Sequence, residues 1–232
     1  MNNSNFDWGW MNEDSELAIL HKRGITQEIF VDKIYEKINK VKQGDVVLDI
    51  GASIGPFTHS ILHKNPAKVV CIEPSKIELP TLEKNIKQSN VIIVEKGIGD
   101  IDGVVVTDQV FGVNGLELEI PCIKFKTLVE NLNLEKIDFL KTDCEGGEYF
   151  IFNLENLFWI KDNVNFAVGE WHLSSSELKQ KFREFRDLYL KLFPDHSAYS
   201  LDGVDIKWDL WNDHFIEYYT EVIIHININK NN

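Results

Sequence analysis

A chain of 232 residues with 44% hydrophobic composition can bury one sizeable α/β core and is short for two independent ones. Its 24 lysines and arginines against 37 acidic residues give a formal charge of −13, which disfavours nucleic acid and anionic membrane as partners. The three cysteines, Cys71, Cys122 and Cys144, include no CxxC pair of the kind that binds zinc or cycles as a dithiol. The N-terminus lacks the basic start and apolar run of a signal peptide, and no segment approaches the ~20 apolar residues of a membrane span. The expectation is therefore a reduced, cytoplasmic protein with no membrane partner.

In chain order, the first expected element is an amphipathic helix over Ile25–Val41. Ile29, Phe30, Lys33, Ile34, Lys37, Ile38 and Val41 recur at spacings of about three and four, and the pattern ends before Gly44. It is expected to cover one edge of a sheet. Strand-length apolar runs follow at Val46–Ile50, Lys68–Ile72, Val91–Glu95, Ile137–Thr142 and Asn165–Gly169, alternating with helical patterns. Near-continuous Val/Ile/Leu/Phe runs of this kind imply a parallel sheet covered on both faces, a doubly wound α/β fold. A small β excursion, Val104–Val106 with Leu116–Ile123, precedes a helix at Lys126–Asn131. A long helix then opens with a serine cap in the Ser174 run and is stopped by Pro194, with Leu178, Phe182, Phe185, Leu188, Tyr189 and Leu192 as its apolar stripe. The tail gives two strand-like runs, Ser200–Trp208 and Tyr219–Ile228, read as an antiparallel pair, and both asparagine-rich ends are expected to fray. The whole is one domain: an arm and helix over 1–44, a cofactor-binding core over 45–172, and a C-terminal helix and strand pair over 173–232.

The run VVLDIGASIG carries the first functional signal. A buried strand enters a loop with glycines at 51 and 55, where glycine permits tight turning and close backbone approach to a ligand beyond the strand ends. The spacing is GxxxG, so neither the GxGxxG dinucleotide fingerprint nor the GxxxxGK[ST] phosphate loop is present. Asp49 sits at the first strand's end, to accept from the loop or from a ligand amino group, or merely to cap the next helix. Glu73, at the second strand's end, can accept from both ribose hydroxyls. A glycine loop and a ribose acid without a phosphate cradle point to S-adenosylmethionine. GASIG also fits GxSxG, which would make Ser53 a hydrolase nucleophile with His172 or His196 as base, but the upstream oxyanion machinery is missing.

At the fourth and fifth strand ends, KIDFLKTDCEGGEY and FAVGEWH concentrate Lys141, Asp143, Glu145, Glu148, Glu170 and His172. Asp143 and Glu170 would face one another across adjacent strands, with His172 on the same side. They read as an acid/base and orienting set; as oxygen and nitrogen ligands, Asp143, Glu170 and His172 are also the residues that a divalent metal would use, although none is assigned. Glu148 reads as a helix N-terminal carboxylate, Trp171 as packing, and Lys141 as a partner of the acidic cluster, of a substrate anion, or of Glu145. His59 and His63, at i,i+4, read as a surface face, and Cys144 as unactivated. The tail aromatics Trp208, Trp211, Phe215, Tyr218 and Tyr219 could stack on a sugar, though core packing accounts for most of them.

The blocks GDVVLDIGASIGPFT, VEKGIGDIDG and IKFKTLVENLNLEKIDFLKTDCEGGEY, together covering roughly Gly44 to Tyr149, resemble the FkbM family of methyltransferases. The resemblance implies a seven-stranded, mostly parallel class I fold with helices on both faces and an antiparallel terminal strand, with S-adenosylmethionine as methyl donor. It implies cofactor contacts from the Asp49–Gly55 loop (Asp49, Gly51, Ala52, Ser53 and Gly55), from Glu73, Pro74 and Ser75, from Gly97, Ile98 and Asp100 near adenine, and from Asp143. The acceptor-side residues are Asp143, Glu170, His172, Lys141 and Glu145. The implied reaction is O-methylation of a small-molecule acceptor, a sugar or sugar nucleotide, with N-methylation of a small phosphorylated amine as the alternative. A homo-oligomer is compatible with the sequence.

Overall fold

The computed structural model describes residues 6–110 and 113–229, and only the backbone over 107–110 and 113–118. Of the ends expected to fray, residues 1–5 and 230–232 lie outside the described ones, whereas residues 224–227 of the C-terminal IHININKNN run are ordered as a strand. In chain order the elements are α1 (Glu16–Ile25), β1 (Val46–Ile50), α2 (Pro56–Ile61), β2 (Lys68–Ile72), α3 (Leu79–Asn85), β3 (Val91–Val94), β4 (Gly97–Ile98), β5 (Gly103–Val110), β6 (Val113–Ile123) and α4 (Phe125–Asn131). They continue with β7 (Ile137–Thr142), α5 (Glu148–Ile151), α6 (Leu157–Asn163), β8 (Val164–His172), α7 (Ser176–Leu188), β9 (His196–Tyr199), α8 (Asp213–Ile216) and β10 (Glu221–Asn227). Seven strands form one sheet in the order β3-β2-β1-β7-β8-β10-β9. The pairings among β3, β2, β1, β7 and β8 are parallel, while β10 runs antiparallel to both of its neighbours. The expected doubly wound, seven-stranded sheet with its antiparallel strand is the fold observed. The β excursion forms a separate three-stranded sheet, β4-β6-β5.

Strand alternation sorts the core to two faces. Leu48, Ile50, Val70, Ile72 and Leu140 pack with Phe125, Ile151, Ile160, Trp171, Phe182 and Phe185 under the helices α4 to α7. Val47, Val69, Cys71, Phe139, Phe166 and Val168 pack on the other face with Ile29, Ile34, Tyr35, Phe57 and Leu82. Each such fully buried Leu, Ile, Val or Phe stabilises by about 1.5–3 kcal/mol. The Ser175 hydroxyl caps α7 by accepting from the Leu178 N–H at 3.1 Å, as the serine run predicts. Among the described residues no helix is long and apolar enough to cross a membrane.

Three expectations are corrected. The single helix predicted over Ile25–Val41 does not form: α1 runs on into a wider π-helical stretch, Thr26–Asp32, and ends at Lys33, which is left-handed at φ 54° and followed by a 3-10 turn, Ile34–Glu36. The apolar periodicity is real, because Ile29, Ile34 and Val41 are buried, but it is met by two short turns lying on a face of the sheet rather than along its edge. The strand predicted over Ser200–Trp208 lies upstream instead, at His196–Tyr199, because Ser200-Leu-Asp-Gly203 is a turn with Gly203 at φ 83°. Of the tail aromatics assigned to core packing, Trp208 and Tyr218 are 81% and 71% exposed, and Trp211 and Phe215 are also exposed.

Candidate active site

The loop after β1 carries three left-handed residues, Gly51 (φ 75°), Ser53 (φ 51°) and Gly55 (φ 88°), and turns directly into α2 through Pro56. Its backbone is largely self-satisfied. The Gly51 and Ala52 N–H groups both donate to Ile72 O at 3.0 Å, and the Gly55 N–H donates to Ala52 O at 2.8 Å. Glu73, 2% exposed at the end of β2, accepts from the Ser53 N–H and the Ser75 N–H, both at 2.8 Å, and so ties the glycine loop to the β2 turn. Pro74 follows it, and Gly97 of β4 leaves room for the Pro74 ring. Ile98 is buried and Asp100 is exposed. Asp49 is fully buried beneath the loop, accepting from the Thr58 hydroxyl at 2.7 Å and paired with Lys141 at 3.2 Å, so its carboxylate supports the loop rather than facing a ligand.

Glu78, just past that turn, was not singled out from sequence. Its Oε2 is buried with no hydrogen-bond partner among the described residues. Burial and the nearby Glu73 charge push its carboxyl up to about 7, against the opposing pull of the Ser53 hydroxyl and the Trp10 indole. An orphaned acceptor beside Glu73 fits a ligand rich in donors, as the ribose of a nucleoside is. The fold therefore holds a proton at Glu78 that the unfolded chain, near 4.5, releases earlier. That stabilising contribution is complete at acid pH and is lost as pH rises from about 4.5 through about 7. Glu78→Gln is expected to raise the Tm at pH 8 and leave it nearly unchanged at pH 5, as read in thermal melts of the free protein.

The edge expected to face an acceptor is built on the ends of β7 and β8. β8 persists through His172, so Glu170 and His172 share a side while Trp171, fully buried, packs on the other. Tyr35, delivered by the 3-10 turn after the Lys33 break, donates its hydroxyl to Asp143 Oδ2 at 2.8 Å and reaches Glu170 Oε2 at 3.4 Å. The Lys141 ammonium is 3% exposed; it donates to Gly51 O at 2.7 Å and lies 3.7 Å from Asp143 Oδ2. It therefore clamps the glycine loop to this edge and does not pair with Glu145. His172 Nδ1 lies 2.6 Å from Glu148 Oε1, and its Nε2 faces Glu145 Oε2 at 3.5 Å, Asp143 Oδ1 at 3.9 Å and Glu170 Oε1 at 3.9 Å. Glu148 opens α5, the helix-start position expected from sequence, and is also fully buried as the partner of this histidine.

Charge is crowded here. Burial and the Asp143 charge drive Glu170 well above the ordinary carboxylate range, and burial raises Glu145 and Glu28 in the same direction. Burial alone would lower His172, but the hydrogen bond and charge of Glu148, with Asp143 and Glu145, raise it to about 10. Cys144 is pushed far up by burial and by Glu148, so its thiol stays protonated and unreactive.

Sequence reasoning missed Tyr35, Glu78 and the role of Glu148. A signal existed only for the last: a histidine closing a strand beside an acid-rich turn needs something to orient its ring. The structure gives Ser53 no base, since no described histidine pairs with it and His196 lies on the far strand β9, with Nδ1 held at 2.7 Å by Phe193 O. His59 packs against the Phe6 ring at 5.0 Å rather than on an open face.

Known proteins bear on this site. The family model for the methyltransferase FkbM domain matches residues 49–197. A curated relative, ribosomal RNA small subunit methyltransferase A of Persephonella marina, is 31% identical over 86 residues, 37% of this chain, which spans 32% of that relative's length. Among solved structures, precorrin 8W decarboxylase of Methanobacterium thermoautotrophicum is similar at 16% identity, covering 86% of this chain and 88% of its own, with a TM-score of 0.46. The fibrillarin pre-rRNA processing protein of Methanococcus jannaschii is similar at 15% identity, covering 85% and 76%, with a TM-score of 0.47. The matched family segment takes in the glycine loop, Glu73 and the whole β7–β8 edge, and extends over more than half of the chain. The chain belongs to the FkbM methyltransferase family.

Proposed function

We propose that this enzyme methylates a hydroxyl of a small molecule, a sugar or sugar nucleotide. The observation that carries the reading is the Asp143–Glu170 pair, joined by the Tyr35 hydroxyl and held directly against the glycine loop. S-adenosylmethionine supplies a sulfonium methyl whose departure leaves a neutral thioether. The residues proposed to hold it are Gly51, Ala52, Ser53, Gly55, Glu73, Pro74, Ser75, Gly97, Ile98 and Asp100, with Asp49 and Lys141 fixing the loop from below. The chain's part in the reaction is to orient the acceptor oxygen in line and to receive its proton on the Asp143, Glu145 and Glu170 cluster as the new O–CH3 bond forms.

Two further observations support a hydroxylated, uncharged reacting end. The net charge of −13 and the acidic edge repel a polyanion such as RNA, and the Lys141 ammonium is already engaged. Phe215 and Tyr218 are exposed in the segment that leads into β10, whose Glu221 pairs with His172. Rings at that position can stack on a sugar. Tyr218→Ala is expected to raise the acceptor KM roughly five-fold, a loss of about 1 kcal/mol, with kcat unchanged in steady-state kinetics. The same acid excess suits a small amine, so the deciding experiment is a methyl-transfer screen over nucleotide-activated sugars and small phosphoamines, repeated with chelator. Product from phosphoamines alone would overturn the sugar reading. The three unpaired thiols support a cytoplasmic setting.

A further inference from the structure

The acceptor edge gathers three donor atoms. Tyr35 occupies Asp143 Oδ2 and reaches Glu170 Oε2, and Glu148 occupies His172 Nδ1. Asp143 Oδ1, Glu170 Oε1 and His172 Nε2 converge beside these contacts, and the Glu221 carboxyl also reaches Glu170. Nε2 stands 3.9 Å from each of the two oxygens, and one ligand atom from each of the three residues lies within 4.8 Å of the others.

A crowd of carboxylates alone would not make a site; the histidine does. His172 is 5% exposed, its ring is fixed from behind by Glu148 at 2.6 Å, and Nε2 makes no hydrogen bond to any described residue. Its nearest carboxylate oxygens stand at 3.5 to 3.9 Å, too far for the direct bond of 2.7–2.9 Å that a charged donor forms with a carboxylate. Spacing that fails as a hydrogen bond suits a shared ion. Two donors about 2.1 Å from one cation stand roughly 3.0 Å apart at a right angle and about 4.2 Å apart when opposite.

We propose that Asp143, Glu170 and His172 form a divalent cation site, with Tyr35 and Glu148 as the outer partners that orient its ligands. A carboxylate behind a ligating histidine and a hydroxyl on the distal oxygens of ligating carboxylates are the supports such sites use. Two oxygens and one imidazole nitrogen suit Mn2+ better than an all-oxygen cage for Ca2+ or a thiolate set for zinc. Three protein ligands leave coordination positions open, and Glu145, 58% exposed at the rim, is close enough to supply a fourth ligand or to take the acceptor's proton. The inference deepens the acceptor reading and rests on it only for the cation's use: two adjacent oxygens of an acceptor, as in a vicinal diol, would fill the open positions.

The test is Mn2+ titration of the full chain, followed by electron paramagnetic resonance, with S-adenosylhomocysteine calorimetry run in parallel. One saturable Mn2+ site per chain is expected, showing 14N modulation from a directly bound imidazole. In His172→Gln the modulation should vanish and Mn2+ affinity fall at least 30-fold, while S-adenosylhomocysteine affinity stays within three-fold. If that variant does not fold, the wild-type nitrogen modulation decides alone. Absence of saturable binding, or saturable binding without nitrogen modulation, overturns the cation site. Loss of S-adenosylhomocysteine binding in the wild-type chain would strike the donor-site reading instead, and the two failures are distinguishable.

Discussion

Alanine at Gly51 is expected to abolish cofactor binding, with S-adenosylhomocysteine affinity falling at least 100-fold. A Cβ at this position would stand 1.6 Å from the Asp143 carbonyl oxygen and 2.6 Å from its carbon. The obstacle is backbone at the end of β7, so no side chain can swing aside, and either the glycine loop or the Asp143 turn must move. The residue also sits at φ 75°, which costs a non-glycine residue roughly 1–2 kcal/mol by itself. The displaced loop would lose the Lys141 clamp on Gly51 O, 2.7 Å in the native fold, and pull Ser53 away from Glu73. Gly44→Ala separates the two costs, because Gly44 has φ 86° but nothing within 4 Å of where its methyl group would stand. That variant is expected to lose only the backbone term, lowering the Tm by about 2–4 °C per kcal/mol lost, and to bind S-adenosylhomocysteine normally. Equal loss of binding in both variants would show that close approach is not what Gly51 provides.

The sheet was legible because its strands are buried on both faces, and such strands are unbroken runs of Val, Ile, Leu and Phe. β1, β2 and β7 fall on the residues that composition picks out, and β8 differs from its expected span mainly at the C-terminal end, where Glu170 and His172 extend it. A strand that runs on into charged residues does so to place them. The elements misread are those whose course depends on a backbone exception. Lys33 enters the left-handed region with nothing in its residue type to announce it, and that turn is what carries Tyr35 into the site. The pairing of Glu148 with His172 was missed for a related reason. In sequence it is one more acid after two glycines, and only the pairing of β7 with β8 brings His172 alongside it. The proposed donor half of the site is local in sequence, a loop and the two strand ends it touches. The proposed acceptor half joins residues 35, 143, 148, 170 and 172, and long-range contacts of that kind leave no mark on spacing.

Turnover should therefore respond to the acceptor half without disturbing the donor half. Asp143→Asn preserves the shape of the side chain and the Asp143 carbonyl against Gly51, and Lys141 keeps its ion pair with Asp49 at 3.2 Å. The loop should stand, and S-adenosylhomocysteine affinity should change less than three-fold. What is lost is the carboxylate that Tyr35 orients, and removal of a positioned proton acceptor lowers rates by about 100- to 10,000-fold. Tyr35→Phe makes a finer cut. The ring stays packed edge-on to Phe57 at 5.7 Å between centroids, and only the hydroxyl that spans Asp143 and Glu170 goes. Removing a partner that orients reacting groups without touching the acceptor is expected to reduce kcat roughly 10- to 100-fold. The buried carboxylates, left without their shared donor, should also repel one another more strongly and hold Glu170 still further above the usual carboxylate range, so the loss should be greatest at low pH and shrink as pH rises and Glu170 gives up its proton. A merely structural role for Tyr35 would lower the Tm and leave the pH dependence of kcat as it is in the wild type. Single-turnover rates across pH, read beside S-adenosylhomocysteine calorimetry, distinguish the two.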